Sequence, residues 1–305
     1  MKNNRLHLFF LFITAFLWGT TFVAQSIGAD YVGAWTYLAG RSWVAVVFLT
    51  PIIPFMDRIA DRRGTESRRP KTAADRKLLL AAGLACGTML CAASVAQQHG
   101  MGYTSASKSG FITALYVVFV PILSIFVRRR PPVHVWICVL VSLVGLYLLC
   151  MTSERISLEI GDSFVLASAL FFSFQILILD HFSPLVDGVR LSRVQFLVVA
   201  VISTVFMLLV DRPDMAAIRS ALPAILYAGI FSSGIAYTFQ ILGQDGVNPS
   251  LASLIMSLES VFSVLSGWAV LGERLSPREL LGSALMFLSI LFAQIDLRPR
   301  KKPGA

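Results

Sequence analysis

Three ionisable residues stand inside long apolar runs, where a charge is expensive and therefore informative. They are Arg41, Lys108 and Glu259. Inserting such a group at the centre of a lipid-spanning helix costs about 2.5–3.5 kcal/mol, so each is a functional hypothesis by default. Glu259 can take up and release a proton, or pair with a cationic group of a solute. Arg41 can hold a carboxylate. The two could also neutralise one another as a structural pair, and both readings stand at this point. Lys108 lies close to the end of its run and is expected to snorkel to the interface.

Around these charges lie polar and aromatic residues able to line an amphipathic cavity: Trp18, Gln97, Gln98, Tyr116, Gln175, Tyr237 and Gln240. Trp18 sits too deep in its run for the usual interfacial role of tryptophan. Glu259, Ser263 and Ser266 share one helical stripe, with Ser253, Ser257, Ser260 and Gly267 on a neighbouring one. Small polar residues at such spacing generally let helices pack closely. His7, His99, His134 and His181 are scattered at expected helix ends, without a metal-ligand spacing. Cys86, Cys91, Cys138 and Cys150 fall in or beside apolar runs and read as packing residues. There is no glycine-rich nucleotide loop and no hydrolase constellation. Neither an enzyme nor a cofactor is expected.

The elements that must position these residues are helices in lipid. The 305-residue chain is 56% hydrophobic and 14% charged, with a mean hydropathy of +0.74. A soluble domain carries about 25% charged residues. Apolar runs of spanning length recur at 7–26, 32–55, 78–98, 104–127, 134–151, 162–180, 194–210, 221–242, 249–271 and 278–295. The expectation is an all-α integral membrane protein of ten transmembrane helices, with residues 56–77 as a charged cytoplasmic loop. The net charge of +9 arises from Lys and Arg flanking the runs, not from one basic face, so nucleic acid is not an expected partner. With both termini placed in the cytoplasm, the inner segments hold 19 Lys and Arg and the outer segments 5. The N-terminus has some features of a secretory signal, but its long apolar run favours retention as the first helix.

A weak internal similarity divides the chain. Residues 104–147 align without gaps on 248–291, an offset of 144 that sets Tyr116 over Ser260. Residues 14–22 align with 168–176, an offset of 154 that also sets Arg41 over Gln195. Two five-helix halves, 7–151 and 162–295, follow. An odd number of helices per half inverts the second copy, the arrangement of alternating-access carriers with a midplane site.

The motif Leu17-Trp18-Gly19-Thr20-Thr21-Phe22 resembles the first-helix motif of the drug/metabolite transporter superfamily, EamA type. Leu271-Gly272-Glu273-Arg274-Leu275-Ser276 and Leu280-Leu281-Gly282-Ser283-Ala284-Leu285 resemble its second-repeat ending. Gly110-Phe111-Ile112-Thr113-Ala114-Leu115 and Val144-Gly145-Leu146-Tyr147-Leu148-Leu149 are similar to the first-repeat counterparts. Where the first repeat often has a Gly-Glu-Arg turn, this chain has Arg128-Arg129-Arg130-Pro131-Pro132.

The resemblance implies an EamA-type permease of the inner (plasma) membrane, with two inverted repeats around a central cavity. The expected activity is secondary transport of a small amphipathic metabolite, such as an amino acid or drug-like solute. Export is expected by analogy alone, and protons are the candidate coupling ion through Glu259. The expected partners are that small molecule and the lipid bilayer. A non-transporting membrane scaffold and an enzyme acting on lipid substrates are the rival classes.

Overall fold

The computed structural model describes residues 2–63, 68–103, 106–127, 131–150, 160–271 and 276–293. Lys108 has no described side chain. Residues 128–130, the Gly272–Arg274 turn and the C-terminal basic segment lie outside the described residues, so the expectations placed on them are not met or refused here.

Thirteen α-helices occupy the described residues: α1 (Lys2–Ala29), α2 (Ala34–Arg63), α3 (Ala73–Met101), α4 (Ala106–Thr113), α5 (Tyr116–Phe126), α6 (Val133–Cys150), α7 (Ile160–Phe182), α8 (Gly188–Phe206), α9 (Met215–Tyr227), α10 (Tyr237–Gln244), α11 (Pro249–Met256), α12 (Glu259–Leu271) and α13 (Pro277–Ala293). A π-helical turn, Met207–Asp211, extends α8, and a longer one, Ala228–Ala236, joins α9 to α10. Among the described residues nine helical stretches are long and apolar enough to cross a membrane. The 17-residue α13 is a tenth apolar helix. Large apolar side chains such as Val47, Leu140 and Leu291 face outward, as lipid contact requires.

Two expectations are corrected. Residues 56–77 are not loop throughout: α2 runs on to Arg63 and α3 begins at Ala73. Hydropathy marks where lipid ends, whereas a helix stops only where its backbone bonds are replaced. At α3 that replacement is a capping box, with the Thr72 side chain accepting from the Asp75 N–H and the Asp75 carboxylate accepting from the Thr72 N–H.

The second correction concerns the runs 104–127 and 249–271, which are broken helices. At the first break Leu115 N–H bonds Ile112 O and Val117 N–H bonds Ala114 O. At the second, Leu258 N–H bonds Ile255 O and Ser260 N–H bonds Ser257 O. The ladder tightens to three-residue bonds at both places. These two pairs of bonds match at an offset of 143, one less than the gapless alignment. Tyr116, first residue of α5, thus corresponds to Glu259, first residue of α12. Few identities supported that alignment, and one residue of slip costs it nothing.

The helices contact one another in matching sets. α3 lies on α7 and α8, while the α9–α10 unit lies on α1 and α2. α1 meets α12, and α7 meets α4 and α5. α2 faces α8, and α6 faces α13. In the last pair a Cβ on Gly145 would sit 2.7 Å from Gly282 O, and one on Gly282 only 2.5 Å from Gly145 O. The serine stripe behaves as packing. Ser253, Ser257 and Ser266 each donate to a carbonyl of their own helix, three or four residues back.

At the end of the bundle where α2 stops and α8 starts, Asp57 forms an ion pair with Arg69 (3.0 Å) and accepts from Arg190 Nη2 (2.6 Å), and Arg68 pairs with Asp245 (2.6 Å). These groups keep appreciable exposure, so the pairs are weak and screened by salt. Asp57→Asn is expected to lower Tm by no more than about 2 °C at low ionic strength. The difference should vanish in 1 M salt, as differential scanning fluorimetry would show.

Candidate functional site

A pocket lies between the helices, and nine elements contribute to its wall. α1 supplies Trp18, Phe22 and Gln25, one stripe at i, i+4, i+7. α2 supplies Arg41, and α3 supplies Ser94 and Gln97. Thr113 and Tyr116 come from either side of the α4–α5 break. α7 gives Phe172, Gln175 and Ile176. Ser232 comes from the π-helical segment, with Tyr237 and Gln240 in the helix after it, and Glu259 opens α12.

Of the residues singled out from sequence, the structure brings Trp18, Arg41, Gln97, Tyr116, Gln175, Tyr237, Gln240 and Glu259 to this one pocket. Gln98 is not among them. It points away from Gln97 and donates to Gln25 O at 3.3 Å, because consecutive helical residues diverge by about 100°. Phe22, Gln25, Ser94, Thr113, Phe172, Ile176 and Ser232 were missed. Only Gln25 and Phe22 had a usable signal, their stripe with Trp18.

Two close approaches build the charged part of the site. Gly19 lets α1 reach the break before α12: a Cβ there would lie 2.7 Å from Glu259 O and 2.8 Å from Ser263 N. Gly229 lets the π-helical segment reach α2: its added Cβ would lie 3.0 Å from Arg41 O. A carbonyl at the end of that segment, on Ala236, accepts from Thr14 Oγ1 of α1 at 3.0 Å.

Arg41 and Glu259 are 6% and 5% exposed, yet they form no ion pair with each other. Arg41 instead donates from Nε to Ser233 Oγ (2.9 Å) and from Nη2 to Ser232 Oγ (2.8 Å). The Tyr116 hydroxyl lies beside the Glu259 carboxyl without meeting strict hydrogen-bond geometry. Gln97 Nε2 donates to Thr113 Oγ1 (3.1 Å) and Gln240 Nε2 to Gln175 Oε1 (3.3 Å). Trp18 and Tyr237 pack ring to ring with centroids 4.7 Å apart.

Four buried polar atoms of the wall have no hydrogen-bond partner among the described residues: Trp18 Nε1, the Tyr116 hydroxyl, Gln175 Nε2 and Gln240 Oε1. Buried polar atoms are normally bonded, and each exception asks for water or a ligand. The space open to water between these side chains is about 30 Å³. That admits two or three waters, given that a single water needs roughly 10–15 Å³ by this measure. A metabolite would have to part the helices to enter.

Sequence comparison matches the EamA-like transporter family over residues 5–151 and again over 159–294. An uncharacterized transporter of Archaeoglobus fulgidus is 27% identical over 291 residues, covering 93% of this chain and 84% of that protein. The uncharacterized transporter YwfM of Bacillus subtilis is 26% identical over 318 residues, covering 100% and 98%. A second Bacillus subtilis protein, the uncharacterized transporter YoaV, is 23% identical over 93% of this chain and 95% of its own. One crystal structure superposes with a TM-score of 0.75 at 16% identity, covering 94% of this chain and 96% of that one, which is a likeness of fold alone.

Proposed function

This chain belongs to the EamA-like transporter family and is a multi-pass membrane transporter, and from that premise we propose a secondary carrier that works by alternating access on a small amphipathic metabolite. The single observation that carries the reading is the pair of buried ionisable groups. Arg41 and Glu259 wall one pocket and leave each other unneutralised. A buried charge without a counter-charge is costly, and a solute bearing both a carboxylate and a basic or donor group would offset that cost. Aromatic faces on Trp18, Phe22, Phe172 and Tyr237 suit an apolar body on the same solute.

In this reading residues 7–151 and 162–295 are inverted halves. Three features support it: the two pairs of bonds that match at the breaks, the contacts that exchange between halves, and a site assembled from both. The excess of Lys and Arg in the inner segments supports a reading with both termini and the Asp57–Arg190 end in the cytoplasm, the protein spanning an inner or plasma membrane. Glu259 serves as the proton-coupling carboxylate, and net movement is export.

The test is the purified protein in liposomes, screened against amino acids and related metabolites with and without an imposed pH gradient. At least one zwitterionic or aromatic carboxylate should move, faster with the gradient. A panel in which no such solute moves, or in which only neutral lipid moves, removes the carrier reading.

A further inference from the structure

The hydrogen bonds around Arg41 use only one edge of its guanidinium. That group is a flat fork of five N–H donors. Nε–H and the neighbouring Nη2 hydrogen form the side edge, and both are taken, by Ser233 and Ser232 respectively. Both acceptors are neutral hydroxyls, so the positive charge is oriented but not cancelled. The end edge consists of Nη1 and the second Nη2 hydrogen. Among the described residues Nη1 has no hydrogen-bond partner, and no acid lies within ion-pair distance of Arg41.

Two adjacent serines reach one edge because the segment carrying them, Ala228–Ala236, is wound as a π-helix. Its wider turn brings consecutive side chains closer to one direction than an α-helix does. Such π segments are uncommon and concentrate at functional sites. Gly229 lets the segment come close enough for the bonds to form.

We propose that Ser232 and Ser233 are positioning residues that fix Arg41 with its end edge free in the pocket, and that this edge takes a planar two-oxygen anion, a carboxylate, on the transported solute. Two parallel N–H donors match two carboxylate oxygens, and an amide or alcohol offers only one acceptor to the pair. This proposal rests on the pocket being the solute site.

The test uses full-length protein in lipid nanodiscs and does not depend on knowing the solute. Phenylglyoxal, which adds to paired guanidinium nitrogens, is reacted with the protein, and labelling at Arg41 is followed by peptide mass spectrometry. Benzoate and benzamide are the matched probes. Arg41 should label, and saturating benzoate should slow that labelling by about tenfold while benzamide leaves it unchanged, the discrimination expected of a site built for two oxygens.

The double variant S232A/S233A should raise the benzoate concentration for half-protection by roughly tenfold, the effect of losing one or two hydrogen bonds to a charged group. Ser233→Thr, which keeps the hydroxyl, should restore most of it. The proposal is overturned if wild-type Arg41 stays unlabelled, if benzamide protects as well as benzoate, or if the folded double variant keeps wild-type half-protection. The wild-type comparison decides the matter even if the variants fail to fold. Protection by benzoate in a protein that moves no solute in liposomes would retire the carrier reading and leave the anchor standing. Transport with an Arg41 indifferent to benzoate would do the reverse.

Discussion

Replacing Glu259 with Gln is expected to cut accumulation driven by a pH gradient by roughly 10- to 100-fold while leaving a folded protein. Glu259 is the first residue of α12, 5% exposed, with its carboxyl beside the Tyr116 hydroxyl and facing the pocket. Gln keeps the shape and one carbonyl oxygen, so the packing around Phe262 and Gly19 is retained. It can neither bind nor release a proton, and it offers a solute cation no charge. Losing a hydrogen bond to a charged group costs about 1.5–3 kcal/mol, or roughly 10- to 100-fold in rate or affinity. Gradient-driven uptake into liposomes should fall by that factor. Exchange without a gradient should keep to within a few-fold of wild type if the carboxylate couples and does not merely bind. Equal accumulation by Glu259→Gln and wild type under the same gradient would end the coupling role.

The second large effect is expected of Gly19→Val. The atoms that an added Cβ would meet are the carbonyl of Glu259, the amide of Ser263 and the Cβ of Phe262, none of which is the far end of a flexible side chain. Helix α1 would have to withdraw from α12 at the level of the site. Overpacking of this kind costs about 1–3 kcal/mol or more, and valine adds two further carbons. Tm should drop by roughly 5 °C or more, and transport should be lost, since Trp18 moves with the helix. Gly110→Ala is the control: its Cβ would meet nothing within 4 Å, and both stability and flux should be unchanged. A Gly19→Val protein with wild-type Tm and flux would show that α1 and α12 are further apart than described.

Arg41 and Glu259 were legible before any fold was known, because charge is so rare in a span that its presence is a signal. The apolar runs were equally plain. What composition hides is direction. Gln97 and Gln98 are the same residue type in adjacent positions, yet one lines the pocket and the other reaches Gln25. Ser94, Thr113 and Ser232 look like any small packing residue until the facing helix is placed.

The helix breaks carry no Gly or Pro at Ala114-Leu115 or Ser257-Leu258, so no local punctuation marks them. At both, the backbone ladder tightens to three-residue bonds. Positional slip matters for the same reason. The gapless alignment pairs Tyr116 with a serine, whereas matching the bonds at the two helix breaks pairs it with Glu259. On that match two hydrogen-bonding side chains stand at the starts of α5 and α12.

The contact between Gly145 and Gly282 has a mechanical side. With no side chain between them, α6 and α13 touch main chain to main chain and have no slack to absorb sliding or separation. If the alternating-access reading holds, this seam would serve as a fixed brace and the movement would lie among the other helices. Wedging the brace with one bulky residue would loosen the whole frame rather than any one wall of the pocket.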